Sequence, residues 1–269
     1  MSIFSEPLVV LAWVTRLTAI GVVVDSAERV AAHKVFSDTA LLSWPWLRSR
    51  RRPTRIYLFD RFLAYPNYLF IMLLRLVAAI CLLLWPLDQA VTLIALPIAL
   101  AGGMLTHLRN RLYEITASHR MSVLILSVLL LRSLVPNSLL VNQIALWFIA
   151  LQVCLSYAVA GWFRIHNKRW REGSTLAISV RVHGIRSGDA ARLLANYPTL
   201  GRILTWGVWA IECTFPLALV LPPPITYAYL AGGLAMHLAN AYFFGFNKFV
   251  WCWPAAYPAV IYAASMLTN

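Results

Sequence analysis

PNYLFIMLLRLVAAICLLLWP, residues 66–86, carries one charged residue, Arg75, within a run that is otherwise almost wholly apolar. A helix needs about 20 mostly apolar residues to cross the hydrocarbon core of a bilayer, where no water is at hand to satisfy backbone N–H and C=O groups. The run therefore reads as a transmembrane helix, and residues 89–108, beginning just past Leu87 and Asp88, read the same way. Outward from this pair the pattern recurs at residues 7–24, 119–136, 138–163, 201–221, 225–244 and 247–267. The expected fold is an all-α integral membrane protein: one polytopic bundle of about eight transmembrane helices, occupying residues 1–269 as a single transmembrane domain, with interfacial segments between the spans.

Composition agrees. Of the 269 residues 61% are hydrophobic and only 12% charged, whereas a soluble domain carries about a quarter charged residues and must turn a large share of its positions to water. The formal net charge of +13 does not point to nucleic acid, because the basic residues sit in the segments between apolar runs, as the positive-inside rule produces. The connections after the first, third, fifth and seventh spans, with the span ends that meet them, hold every Lys and Arg of the 23 except Arg16, Arg75 and Arg132. That asymmetry predicts a multi-pass protein of the cell inner membrane with its basic loops in the cytoplasm and both termini on the opposite side. The first apolar run is interrupted by Arg16 and preceded by Glu6 instead of a basic region, so it is expected to stay as an anchor.

Residues 25–65 form a long connection with the run Arg48-Ser49-Arg50-Arg51-Arg52-Pro53-Thr54-Arg55. Trp44 and Trp46 precede it, and rings of that kind suit the headgroup region. Arg50, Arg51, Arg52 and Arg55 are accordingly expected to meet membrane lipids or a partner. The second long connection, residues 164–200, opens with a basic cluster and ends in a short helix beginning near Asp189, before Pro198. Between them Leu176, Ile178, Val180 and Val182 alternate with small or polar residues, a strand-like period that a lone strand at a membrane could not satisfy, so residues 174–186 carry no assignment.

All four cysteines, Cys81, Cys154, Cys213 and Cys252, lie in apolar runs without metal-ligand spacing, and no metal is expected. An internal echo is visible: Ala101-Gly102-Gly103 with His107, Leu108 and Asn110 recurs as Ala231-Gly232-Gly233 with His237, Leu238 and Asn240. The paired glycines suggest close approach of another helix.

Ionisable residues inside a bilayer face the bundle interior and have partners. Arg16, Arg75, Glu212 and His237 fall well inside spans. One reading has Glu212 neutralising Arg16 or Arg75 to fix helix packing. The other has Glu212 and His237 as catalytic proton carriers for a bound lipid or quinone, with Arg16, Arg75, Arg164 and Asn240 binding substrate or an anion. Arg cannot act as a base at neutral pH. A haem held by His107 and His237 is disfavoured, because His107 lies near a span end and His237 well inside its span.

Tyr157-Ala-Val-Ala-Gly161-Trp-Phe-Arg164-Ile, followed by Trp170 and Gly173, resembles the Y-x-x-A-G-x-x-K-L…W-x-x-G signature of the horizontally transferred transmembrane domain family, which includes vitamin K-dependent gamma-carboxylases and sporulation-delaying-protein B proteins. Glu212 with Pro216, His237 with Asn240, and Phe249 resemble its E…P, H-x-x-N and following Phe, and Arg16, Gly21, Asn110 and His119 also fit. The family's Lys, implicated in deprotonating reduced vitamin K, is Arg164 here, which argues against glutamate carboxylation. In the carboxylases the signature faces the lumen, whereas the charge count places residues 164–173 in the cytoplasm. Without a hydrophilic block long enough for a peptide-holding domain, the chain is closer to the sporulation-delaying-protein B type. That resemblance implies a bacterial inner-membrane protein acting in maturation of a peptide or protein partner. The alternative is a non-catalytic scaffold or accessory subunit of a larger membrane complex.

Overall fold

The computed structural model describes residues 6–50, 59–110, 116–183 and 188–268, and all regular structure among them is helical. Five stretches are long and apolar enough to cross a membrane: Pro7–Ala31, Asn67–Leu84, Gln89–Asn110, Leu139–His166 and Asn247–Thr268. The chain is therefore a helical, multi-pass membrane protein. It divides into two compact units, residues 11–142 and residues 1–10 with 143–269.

The 11–142 unit contains most of α1 (Pro7–Ala31), two short helices α2 (Trp44–Ser49) and α3 (Asp60–Leu63), then α4 (Asn67–Leu84), α5 (Gln89–Asn110) and α6 (Thr116–Ser133). Trp85-Pro86 ends α4, since Pro has no N–H to continue the ladder. Asp88 starts α5 by accepting a hydrogen bond from the Val91 N–H at 2.9 Å. α4 packs along α5, and α5 along α6.

Two apolar clusters tie the first long connection to these helices: Phe36 with Tyr68 and Met72, and Trp44 with Leu47 and Leu63. Trp44 thus departs from the expected headgroup position. It is 3% exposed and donates its indole N–H to Asp60 at 3.1 Å, a carboxylate also paired with Arg48 at 2.9 Å. Trp46 stays exposed, and the Arg50 guanidinium lies over its ring at 5.1 Å. Two tryptophans only two residues apart on a short helix face different ways, and the side with the apolar neighbours is decided by packing alone. Arg51, Arg52 and Arg55 lie outside the described residues.

Arg109, at the end of α5, is fully buried and reaches three carbonyls: Leu63 at 3.1 Å, Phe36 at 3.4 Å and Leu42 at 2.9 Å. Its guanidinium also lies 4.6 Å from the Tyr68 ring centroid. A planar five-donor group suits this task, because irregular backbone inside a bundle must find donors within the protein.

The predicted pairing of Arg75 with Glu212 is not what forms. Arg75 donates to Asp25 at 2.6 Å, to the Ser26 hydroxyl at 3.3 Å and to the Ala99 carbonyl at 3.4 Å, while Arg29 holds the other Asp25 oxygen at 3.1 Å. α1 continues past the predicted limit at residue 24, which carries Asp25 into the bundle and sets Arg29 one turn away on the same face. A Cβ added to Gly102 would fall 2.9 Å from the Arg75 Cδ and 3.2 Å from its Cβ, so this glycine of the echo lets neighbouring α4 approach with an arginine stem against it.

The 1–10 and 143–269 unit contains most of α7 (Leu139–His166), then α8 (Lys168–Arg171), α9 (Thr175–His183), α10 (Gly188–Asn196), α11 (Pro198–Thr214), α12 (Pro223–Phe244), α13 (Asn247–Cys252) and α14 (Tyr257–Thr268). Of the segment 174–186, to which the sequence gives no assignment, Thr175–His183 forms α9, packed on α10 and α11, and residues 184–186 lie outside the described residues. A helix satisfies its own backbone, which the alternating Leu, Ile and Val residues did not reveal. α11 tightens into a 3-10 turn at Phe215–Leu219 where Pro216 cannot continue it, and Pro254 breaks the last stretch into α13 and α14.

Candidate functional site

Tyr157, on α7, stands at the centre of a buried polar chain in the 143–269 unit. Its hydroxyl lies 2.7 Å from His237 Nε2 on α12 and 2.7 Å from the Tyr257 hydroxyl at the start of α14. Phe215, in the 3-10 turn after α11, stacks on the Tyr157 ring at 3.9 Å between centroids. Trp253 stacks on the His237 imidazole at 5.2 Å, and Phe249 lies against both rings. The imidazole of α12 thus sits among rings from α7 and from α13 with the residue that follows it.

His237 is 3% exposed, and its Nδ1 has no hydrogen-bond partner among the described residues. Either tautomer leaves an unmet requirement. If Tyr157 donates to Nε2, the proton sits on Nδ1 and is a buried donor with no acceptor. If Nε2 carries the proton, Nδ1 is a buried acceptor with no donor. A buried polar atom in this state costs about 1–3 kcal/mol unless another molecule satisfies it.

The second polar element is the ion pair of Arg164, near the end of α7, with Glu212 on α11. The Glu212 side chain is 3% exposed and that of Arg164 28%, so the carboxylate is interior and the guanidinium reaches in from the rim. Trp170 of α8 lies under the guanidinium at 4.7 Å, a cation–π contact that orients it. Tyr157 and Arg164 lie on the same helix α7, and Glu212 ends the helix whose following turn stacks Phe215 on Tyr157, so the two polar elements share their helices.

Glycines set these distances. A Cβ on Gly161 would fall 2.5 Å from the Cys213 backbone nitrogen and 2.9 Å from its Cα, so α7 and α11 meet backbone to backbone. Gly161→Ala is expected to force the helices apart and lower stability by about 1–3 kcal/mol. Gly207→Ala, on α11 with open space around the added methyl, is the control and should be neutral or stabilising by up to about 1 kcal/mol. Thermal unfolding of both variants in nanodiscs measures the difference. A Cβ on Gly233, in the second copy of the echo, would fall 2.9 Å from the Tyr157 hydroxyl, so His237 and Gly233 on one face of α12 frame the same oxygen. Gly173, at φ 71°, takes the left-handed turn between α8 and α9, and its carbonyl accepts from Thr205 at 3.2 Å.

Of the sequence-derived candidates, Arg164 and Glu212 pair with each other, and His237 joins Tyr157 in the same unit. Asn240 is half-buried on α12, where its carbonyl accepts from the Phe246 N–H in the cap closed by Gly245. Arg75 belongs to the Asp25 cluster of the other unit. Arg16 is half-buried on α1 and makes no hydrogen bond or ion pair among the described residues. His107 has its ring 5.7 Å from that of His119, and the Nε2 of His237 is committed to Tyr157. Among the described residues no cluster of three or more His, Cys, Asp or Glu is placed to hold a metal.

Tyr257, Trp253 and Phe215 had no signal in the sequence. Tyrosines and tryptophans in apolar runs are ordinary membrane residues, and only contact with His237 and Tyr157 sets these apart.

No protein family matches this chain, and neither a curated protein nor a solved structure matches it.

Proposed function

We propose that this chain is an eight-span inner-membrane protein whose 143–269 unit binds the polar end of a lipid- or quinone-like molecule and moves a proton to or from it. The observation that carries this reading is the unmet Nδ1 of His237, buried at the end of a hydrogen-bonded chain through Tyr157 to Tyr257. A hydroxyl or carbonyl oxygen on a ligand satisfies that nitrogen in one tautomer or the other. The aromatic surround of Trp253 and Phe249 suits a flat or apolar body.

The residues supply a relay in which His237 need not become a cation. Nδ1 accepts a proton from the ligand as the Nε2 proton passes to the Tyr157 oxygen, the Tyr157 proton passes to Tyr257, and Tyr257 gives its own to solvent water, which leaves the ligand one proton poorer and the chain neutral. Arg164 faces the negative charge left on the ligand, and Glu212 holds the guanidinium in place. Glu212 is thus a positioning carboxylate in this scheme, and His237 with Tyr157 carries the proton.

The eighth-span count adds α6, α11 with its 3-10 turn, and α12 to the five long apolar stretches, with the basic connections in the cytoplasm as charge asymmetry favours. Of the residues that carry the resemblance to the carboxylase-like and sporulation-delaying-protein B-like proteins, Tyr157, Gly161, Arg164, Trp170, Glu212 and His237 lie in or beside this site, while Arg16, Gly21, Asn110 and His119 belong to the other unit. We extend the proposal to a role in maturing a peptide or protein partner on that ground.

Protein purified in native-membrane nanodiscs tests the reading. Mass spectrometry of an organic extract should find a lipid or quinone at near one per chain in the parent, depleted in His237→Ala. Tyr157→Phe keeps the ligand and loses cellular activity. Full occupancy and full activity in both folded variants would remove the proposal.

A further inference from the structure

Among the described residues, Arg16 is the one mid-span cation of the sequence candidates that has no hydrogen-bond or ion-pair partner. Arg75 has Asp25 and Arg164 has Glu212. Arg16 sits near the centre of the apolar stretch 7–24, on a half-exposed face of α1 with Trp13, Ile20, Val24 and Ala27. Trp13, one turn away, is 44% exposed. A guanidinium at this depth needs a counter-charge, because hydrocarbon offers it neither water nor acceptors.

Lipid headgroups do not fit the depth. Half of the hydrocarbon core is about 15 Å, which takes the headgroup phosphates out of reach of an Arg side chain anchored at the middle. A second copy does not fit either. Of the ten acidic residues, Glu212 alone lies deep within an apolar run, and it is held by Arg164; Asp25, at the edge of one, is held by Arg75 and Arg29. What places a carboxylate at the middle of a bilayer is another transmembrane helix.

We infer that the Arg16 face of α1 is an intramembrane docking surface for a different protein's transmembrane helix bearing an Asp or Glu near its midpoint. The pair forms between guanidinium and carboxylate in a medium that hardly screens it, and Trp13 and Ile20 supply the apolar contact one turn to either side. The inference is independent of the His237 site, which lies in the other unit.

The test uses the full chain in zwitterionic lipid vesicles with a labelled single-span peptide of leucines carrying one central Glu, read by energy transfer to a label on the protein. The Glu peptide should bind at least tenfold tighter than the same peptide with Gln or Leu. Arg16→Leu should abolish that preference, and Arg16→Glu should transfer it to a peptide with a central Lys. Thermal unfolding confirms that the variants are folded, and Arg16→Lys, which keeps the charge, should keep most of the preference. Equal binding of all peptides, or none, overturns the inference. Energy transfer between two labelled copies that Arg16→Leu removes would assign the face to self-association instead. An effect of Arg16 seen only on adding phosphatidylglycerol would assign it to lipid.

Discussion

Asp25→Asn is expected to destabilise the protein by about 3–5 kcal/mol, the largest effect of any single side chain in the 11–142 unit. The change removes the negative charge between two guanidiniums, Arg75 at 2.6 Å and Arg29 at 3.1 Å, and leaves both cations where water does not reach them. Their side chains are only 3% and 7% exposed. An amide can accept one of the two hydrogen bonds but cannot offset either charge. The double variant Asp25→Asn, Arg75→Met should recover a large part of the loss, since an uncompensated buried charge is worse than none. Unfolding by heat or denaturant in micelles, as a double-variant cycle, measures this. Loss no greater than for an exposed control such as Asp88→Asn would show that the cluster is solvated.

Arg164→Met is expected to destabilise the 143–269 unit by about 3 kcal/mol and to remove the charge to which the proposed function assigns anion binding. Glu212 would be left buried and ionised with no cation opposite, or would take up a proton to avoid that state. The double variant Arg164→Met, Glu212→Gln should regain stability without regaining activity. That split separates the structural role of the pair from the proposed one: packing requires charge balance, whereas the proposed ligand binding requires the guanidinium itself. Arg164→Lys keeps the charge but loses the flat face over Trp170, so it should recover stability in part and ligand only weakly. Equal recovery of stability and activity in the double variant would make the pair purely structural.

The spans were legible because apolar length is a local property. Residues 66–86 and 89–108 became α4 and α5 with ends shifted by a residue or two, and the turn residues Pro86 and Asp88 mark the break. The end of α1 was misjudged for an equally local reason: Asp25 and Arg29 read as a loop, yet as an ion pair one turn apart they can continue a helix into the bundle. Glu212, His237 and Arg164 were visible as costly residues in apolar surroundings, a signal that needs no partner to be seen.

Partners were another matter. Glu212 had three arginines to choose from, and nothing along the chain ranks Arg164 above Arg16 or Arg75, because the choice depends on which helix faces meet. The same holds for Tyr257, a hundred residues from Tyr157 and in hydrogen-bond contact with it. From the sequence alone comes the class of molecule, the helical segments and the short set of residues too polar to be there without a reason. Only the tertiary structure decides which of those residues are satisfied, because hydrogen bonds and ion pairs act over about 3 Å while hydropathy acts over a whole helix. By that measure Asp25, Arg75, Glu212 and Arg164 are accounted for within the protein, whereas His237 Nδ1 and Arg16 have no hydrogen-bond or ion-pair partner among the described residues.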